Sequence, residues 1–244
     1  MSFMQTAAWL RLLRNALLGT GVLASHAAHG DLVTMPRGLN PGEHFRVIFA
    51  TSATHDALSG DMAVYDAFVR SVAAAAGLDS YFGQAVSWQT LGSTQAVNAI
   101  DRVALDSPGL YGMFGERIAD DGADLWDGSI DNAVLGDEHG FIDSRVVFTG
   151  TGSDGSRTDN PLGGGAVQLT EVGFANLLTT NGRWVHVGAD GGNRLHSFYA
   201  VSSVLTVPAP SAVPEPGSGM LAALALAAGI AVTGIGRKTT RTAP

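Results

Sequence analysis

Apolar and polar positions in the middle of the chain predict one long helix. From residue 62 to residue 76 apolar side chains recur every three or four residues, which is the spacing of a helix with one buried face. Asp61 has the side chain of a helix N-cap, and Gly77 can close the last turn. The apolar stripe consists of Tyr65, Phe68, Val69, Val72 and Ala76. We expect this stripe to pack in the core rather than to bind a ligand.

Several runs rich in β-branched and aromatic residues predict strands. They are Phe45–Ala50, Val86–Thr90, Arg145–Thr149, Arg183–Val187 and Ser197–Val207. Asn181 and Gly182 are typical of a tight turn before the fourth run. Residues 106–143 and 150–180 carry no strong periodicity, so we expect long irregular loops there, of a length that is often functional. The pattern therefore predicts one α+β domain over residues 31–207.

The N-terminal segment, residues 1–30, has the pattern of a secretory signal peptide. Arg11 and Arg14 precede an uncharged, mainly apolar run over residues 16–24, and small residues follow. Cleavage after Ala27 or Gly30 would suit the small-residue rule. The alternative is an amphipathic helix that stays in the mature protein.

The C-terminal segment predicts a membrane anchor. A Pro-rich linker over residues 208–216 leads into residues 217–236, which carry no charge. Twenty helical residues rise about 30 Å, enough to cross a hydrocarbon core. A basic tail over residues 237–244 follows, with Arg237, Lys238 and Arg241. Cations beside a span stay in the cytoplasm, so the domain is expected to face outward.

Pro214, Glu215 and Pro216, followed by the uncharged span and the basic cluster, resemble the PEP-CTERM sorting signal. This resemblance implies export through the secretion translocon and recognition by an exosortase, in a Gram-negative cell that often makes extracellular polysaccharide. It also implies a protein of the cell envelope, anchored by its C-terminal helix, or one that is extracellular after processing. An ordinary C-terminal membrane anchor is the alternative, and it gives the same topology.

The charge of the chain narrows the choice of partners and of chemistry. Without the five cations of the two ends and Glu215, the chain carries 9 Arg and no Lys against 21 acidic residues, a net charge of −12. Such a domain lacks the clustered cations that nucleic acids and anionic membrane surfaces require. The chain has no Cys, which excludes disulfides, thiolate zinc sites and Cys nucleophiles.

A series of short motifs spans most of the domain. They are Val47–Ser52, Ala76–Leu78, Trp88, Ser93–Thr94, Ala99–Arg102, Asp124–Ile130, Val147–Gly155, Trp184 and Leu195–Tyr199. Their order resembles bacterial C-type-lectin-like or endostatin-like domains. The resemblance implies a mixed sheet with one main helix and long loops, in which the first strand pairs with the last. It implies no single activity, because function on this fold lies in the loops.

An acidic segment is a candidate calcium site. Asp120, Asp121, Asp124 and Asp127 are the candidate ligands, and more acids follow at Asp131, Asp137, Glu138 and Asp143. Calcium prefers six to eight oxygens, which such a loop can offer, but the spacing is not that of an EF-hand. We favour a solvated loop in which these side chains form turns, and we therefore predict no cofactor with calcium as the alternative.

Trp126, with Asp124 and Asp127, is the candidate for binding a sugar ring. Trp126 is more readily explained as a core residue, and the same holds for Trp88 and Trp184. Residues 150–155 fit a G-x-G-x-x-G pattern, but a turn-like segment follows where nucleotide binding needs a helix. We expect a non-enzymatic surface or matrix protein that binds extracellular polysaccharide. The alternatives are a purely structural envelope protein and a secreted hydrolase, although no hydrolase motif is present.

Overall fold

In a computed structural model of the protein, residues 36, 38–103, 109–164, 168–175 and 179–209 are described. The predicted signal peptide, the sorting motif, the 217–236 span and the basic tail lie outside these residues. Within the described ranges, no helix is both long and apolar enough to cross a membrane.

The domain is mixed α+β, as the sequence predicts, with mostly strands and few helices. The strands are β1 His44–Ala50, β2 Ser80–Tyr81, β3 Gln84–Ala85, β4 Trp88–Thr90, β5 Gly109–Gly112, β6 Arg117–Ala119, β7 Arg145–Phe148, β8 Leu169–Ala175, β9 Gly188–Gly191, β10 Tyr199–Ser202 and β11 Leu205–Thr206. The helices are α1 Met62–Ala75, α2 Ala99–Arg102 and α3 Gly122–Leu125, with a 3₁₀ helix at Gly182–Trp184.

The main sheet has the order β4-β10-β1-β5-β6, and β11 also pairs with β1. Strand β1 is antiparallel to β10 and β11, where His44 lies opposite Thr206, and parallel to β5. The expected pairing of the first strand with the last is thus confirmed. Because β1 is buried on both faces, its sequence is a nearly continuous apolar run.

Side chains of β1 alternate between two hydrophobic clusters, as the two-residue period of a strand requires. Phe45, Val47 and Phe49 point to the cluster that contains the buried residues of α1, whereas Ile48 and Ala50 point to the other. The second cluster contains two of the predicted core tryptophans, and Trp88 belongs to the first.

Helix α1 begins and ends close to the predicted residues. The Asp61 carboxylate accepts a hydrogen bond of 2.9 Å from the Ala63 N–H, and Gly77 has a φ of +76° just after the helix. Tyr65, Val69 and Val72 are buried in the first cluster. Phe68 and Ala76 are half-buried against it, so the stripe packs in the core as predicted.

The predicted strand at Arg183–Val187 is wrong, because a 3₁₀ helix begins there. The Asn181 side chain accepts a hydrogen bond of 3.2 Å from the Arg183 N–H and caps this helix. The short helix buries the Trp184 ring completely, which accounts for the apolar residues that resembled a strand.

Three further differences concern the segments predicted to be irregular and the last strand. Residues 150–180 contain β8, the central strand of a second antiparallel sheet, β7-β8-β9. Residues 106–143 contain β5, β6 and α3. The single strand predicted at Ser197–Val207 is divided into β10 and β11, which leave Ser203 and Val204 outside the ladder.

Candidate functional site

An open groove of about 820 Å³ runs beside the hairpin formed by β5 and β6. Its polar lining includes Glu43, Tyr111, Glu116, Arg117, Asp120 and Asp131. A recess of about 420 Å³ shares Glu43, Tyr111 and Asp120 with the groove and adds His44 and Gly109. The end of the main sheet and the loops around it therefore bring one phenol, one guanidinium and four carboxyls together.

The Tyr111 ring packs in the core, and its hydroxyl lies at the groove. The side chain is only 6% exposed, and its ring packs edge-on against Phe45 at 6.2 Å. The ring crosses Gly109, where a Cβ would lie 3.0 Å from Tyr111 Cε2. Within the described residues, the hydroxyl has no hydrogen-bond partner. It is thus a rigidly held polar group that is available to a ligand.

The charges of the groove surround this hydroxyl. Burial raises the pKa of Tyr111 above its ordinary value. Arg117 opposes that increase, whereas Asp120 and Glu43 add to it. The hydroxyl therefore keeps its proton at neutral pH and can both donate and accept a hydrogen bond.

Arg117 is fixed by two carboxylates on its own side of the groove. Its Nε donates to Asp131 Oδ2 at 2.8 Å, and its Nη1 pairs with Asp120. The hydrogen bond to Asp131 raises the pKa of Arg117. Asn132 Nδ2 donates to the Arg117 carbonyl at 2.8 Å, which holds the backbone as well. The guanidinium is therefore held in one direction and largely neutralised.

Glu116 folds back over Gly112, where a Cβ would lie 1.9 Å from Glu116 Oε1. Its Oε2 accepts a hydrogen bond of 3.0 Å from the Phe114 N–H, whereas Oε1 is buried without a partner among the described residues. Burial raises the pKa of this carboxyl, so Glu116 loses its proton less readily than an exposed glutamate.

Glu43 has the opposite tendency at the rim of the groove. Its carboxylate accepts hydrogen bonds from the backbone N–H and the side-chain amide of Asn40, at 2.6 and 3.2 Å. These bonds lower the pKa of Glu43. No described residue forms an ion pair with Glu43, so it presents a negative charge to the groove.

An apolar extension of about 470 Å³ continues the groove, which it joins at Gly115, Glu116 and Asn132. Phe114 and Ile142 line this extension. The groove thus has a polar stretch and an apolar end.

The surroundings of Trp126 give no support to the sugar-binding alternative. Its indole is only 7% exposed and stacks on Trp184 with ring centroids 5.7 Å apart. Asp124 Oδ2 accepts from the Asp120 N–H at 2.7 Å, and Asp127 Oδ1 accepts from the Ser129 N–H at 2.9 Å. The ring is therefore a core residue, and its acidic neighbours shape the local backbone.

The candidate calcium ligands are also engaged in local hydrogen bonds and ion pairs. Asp121 caps α3 by accepting from the Ala123 and Asp124 N–H groups, and Asp120 pairs with Arg117. In the described part of the chain, no group of three or more His, Asp or Glu side chains is placed to hold a metal ion. The calcium alternative gains no support from this arrangement.

Two later acids of the predicted acidic loop are buried. Asp137 pairs with Arg145 at 2.9 Å, and the Glu138 carboxylate accepts from the Ser52 N–H at 2.8 Å and from its hydroxyl. These bonds attach the loop to β7 and to the end of β1. Neither acid was a sequence-derived ligand candidate, and both have structural roles.

The secreted-hydrolase alternative would need a histidine placed beside a nucleophile. His196 Nε2 lies 2.9 Å from Asp190 Oδ2, and this bond lowers the pKa of Asp190. His186 lies 3.3 Å from Glu171. Within the described ranges, no serine hydroxyl hydrogen-bonds to a histidine ring. The structure therefore forms an Asp–His pair but places no nucleophile on it.

No model of a known protein family matches the chain, and no curated protein matches it either. A function for this protein therefore has to be inferred from the groove and from the two ends of the sequence. The sequence prediction missed the groove because it lies in a segment that was expected to be irregular. The available signal was local, namely a tyrosine set among glycines at Gly109, Gly112 and Gly115.

Proposed function

We propose that this is an exported cell-surface or extracellular-matrix protein whose lectin-like domain binds extracellular polysaccharide in the β5–β6 groove. The observation that carries the proposal is the Tyr111 hydroxyl, which is rigidly held, has no hydrogen-bond partner among the described residues and lies near charged groups of the groove. Sugar hydroxyls both donate and accept hydrogen bonds. The groove offers them carboxylate acceptors, the Arg117 and Asn132 donors, and a phenol that does both.

Two further features support the lectin-like assignment. The first strand pairs with the last, as the resemblance implies. Long loops connect the elements and form much of the groove. The proposed role is not enzymatic. The loops determine what a domain of such a fold binds.

Export and sorting are supported by the sequence of the two ends. The signal-peptide pattern precedes the domain, and the Pro214–Pro216 motif, uncharged span and basic cluster follow it. We propose that the translocon exports the chain and that an exosortase recognises its tail. The protein is then held in the membrane by its C-terminal helix or released into the matrix.

The experiment that tests sugar binding compares two tyrosine variants. Tyr111→Phe removes an oxygen that bonds nothing in the described protein, so the free energy of unfolding should stay unchanged. We expect binding of the recognised polysaccharide, measured by calorimetry after a glycan-array screen, to weaken about fivefold to twentyfold.

Tyr65→Phe is the matched control. The Tyr65 hydroxyl donates to the Ser59 carbonyl at 2.6 Å on the helix α1 side of the domain, outside the groove. This variant should lose about 1 kcal/mol of stability and keep its affinity. If neither variant changes binding, or if no polysaccharide binds, sugar recognition in the groove is excluded and a purely structural envelope role is favoured.

The Asp190–His196 pair is the observation that would favour a secreted hydrolase. A panel of ester, peptide and glycoside substrates tests that function. Activity that disappears in His196→Ala would replace the proposal of a binding protein.

A further inference from the structure

We infer that the groove prefers polysaccharide with free amino groups, with a sugar ammonium seated between Glu43 and Asp120 over the Tyr111 hydroxyl. This inference rests on the proposed function and adds the chemical class of the ligand.

The charges that line the groove exclude an anionic sugar. Carboxyls outnumber the single guanidinium by four to one among the lining residues. Arg117 is already held by Asp120 and Asp131, so little positive charge is left for a uronate. The rest of the domain acts in the same direction, because its Lys-free, strongly acidic composition repels anionic polymers and attracts cationic ones.

Glu43 supplies negative charge that no described residue neutralises with an ion pair. Its partners are the two neutral donors of Asn40, and no described cation pairs with it. Those donors fix the carboxylate and keep it ionised through their effect on its pKa. An ammonium group could therefore pair with Glu43 without displacing a described cation, and it would share Asp120 with Arg117.

The Tyr111 hydroxyl is the independent feature that points to a ligand. It is the polar tip of a side chain that is more than nine-tenths buried, it belongs to the recess that Glu43 and Asp120 also line, and it has no partner among the described residues. An ammonium group has three N–H donors and no acceptor. Glu43, Asp120 and the Tyr111 oxygen supply three acceptors in one recess, one for each N–H donor of the ammonium group.

The test uses the full-length protein in detergent and three oligosaccharides of equal length. They are a glucosamine oligomer with free amines, its fully N-acetylated counterpart and an oligouronate. Binding is measured by calorimetry at mildly acidic pH, where the amines are protonated and Glu43 stays ionised. We expect the amine-bearing oligomer to bind about tenfold or more tightly than the acetylated one, because a charged acceptor strengthens each hydrogen bond. Added salt should reduce the preference.

Glu43→Gln tests the seat of the ammonium, and Asp79→Asn is its control. Glu43→Gln should weaken binding of the amine-bearing oligomer much more than binding of the acetylated oligomer, and so remove most of the preference for amines. Asp79 is exposed and lies outside the groove, so Asp79→Asn removes the same charge elsewhere. An equal loss in both variants would show general charge attraction and overturn the inference.

The remaining outcomes separate this inference from the proposed function. Tyr111-dependent binding that is equal for amine and acetylated oligomers, or tighter for the oligouronate, overturns the amine preference and keeps the glycan-binding function. No binding of any oligosaccharide overturns both.

Discussion

Gly155 shows how a single residue fixes the loop that holds the Trp126 ring in place. Its φ is +78°, and a Cβ there would lie 2.7 Å from Trp126 Cδ2 and 2.8 Å from Ile100 Cβ. Gly150, at the start of the same motif, would place a Cβ 2.4 Å from the Ser93 carbonyl. The G-x-G-x-x-G pattern of this chain is therefore explained by close packing at Gly150 and Gly155, and bends with a bridge at Arg157 follow it instead of a helix.

Substitution of Gly155 tests this explanation at the residue scale. We expect Gly155→Ala to lower the free energy of unfolding by about 2–4 kcal/mol, since left-handed strain and overpacking add together. Gly77→Ala is the matched control, because Gly77 has a φ of +76° but nothing within 4 Å of its Cβ position. It should lose only about 1 kcal/mol in urea titrations. Equal losses of stability in the two variants would mean that overpacking against Trp126 does not contribute.

At the scale of elements, Asp66 joins α1 to its neighbours. Its Oδ1 accepts from the Thr90 N–H of β4 at 2.8 Å, and both carboxylate oxygens accept from Arg102 Nη2 of α2 at 3.0 and 2.7 Å. The Asp66 and Arg102 side chains are about 15% exposed. One carboxylate thus connects two helices and an edge strand of the main sheet.

A double-mutant cycle measures this connection. Asp66→Ala should lower the free energy of unfolding by about 2–3 kcal/mol, because a largely buried guanidinium and an N–H of β4 both lose their carboxylate acceptor. Arg102→Met keeps the apolar stem of the side chain and should cost less. In the double variant the losses should be less than additive by at least about 1 kcal/mol. Simple additivity would show that the pair is not coupled.

The elements that the sequence predicts correctly are those with local causes. Helix α1 follows from its cap and its periodic stripe, and β1 follows from a continuous apolar run. Strand β8 was missed because Glu171 and Gly173 interrupt its pattern. Gly173 is required there since a Cβ would lie 2.1 Å from the Trp184 carbonyl, and Glu171 accepts from the Gly188 N–H of β9. Both residues are explained only by contacts with residues that lie elsewhere in the sequence.

The candidate site was unpredictable for the same reason. Glu43 is far from Tyr111 and Asp120 in the sequence, and it lies near them because β1 pairs with β5, which in turn pairs with β6. The sequence drew attention instead to Trp126, whose ring the second cluster buries.

At the scale of the whole molecule, the acidic domain and the two predicted processing segments act together. An anionic membrane surface repels a negatively charged domain, so under the proposed export the groove would stay accessible to a ligand outside the cell. In the proposed topology, the Pro-rich linker would tether the domain that carries the groove. This arrangement depends on the predicted export and processing.

The mass of the protein from its own cells tests these two segments. We expect a species that lacks the first 27 to 30 residues and the tail beyond Pro216, recovered from the medium or matrix. Intact-mass spectrometry of membrane and medium fractions measures it. A membrane-bound species that retains the tail would indicate an ordinary anchor without exosortase processing. A full-length soluble species would contradict both end assignments.

The pairing of β1 with β11 means that the main sheet can be completed only when both ends of the domain are present. The His44 and Thr206 side chains form a hydrogen bond although they are 162 residues apart in the sequence. The ladder of the central strand is therefore complete only after the last strands have paired with it. Contacts between such distant residues make folding slow. A chain that emerges N-terminus first therefore exposes the apolar β1 run until almost the whole domain has appeared, and it depends on protection from aggregation during that interval.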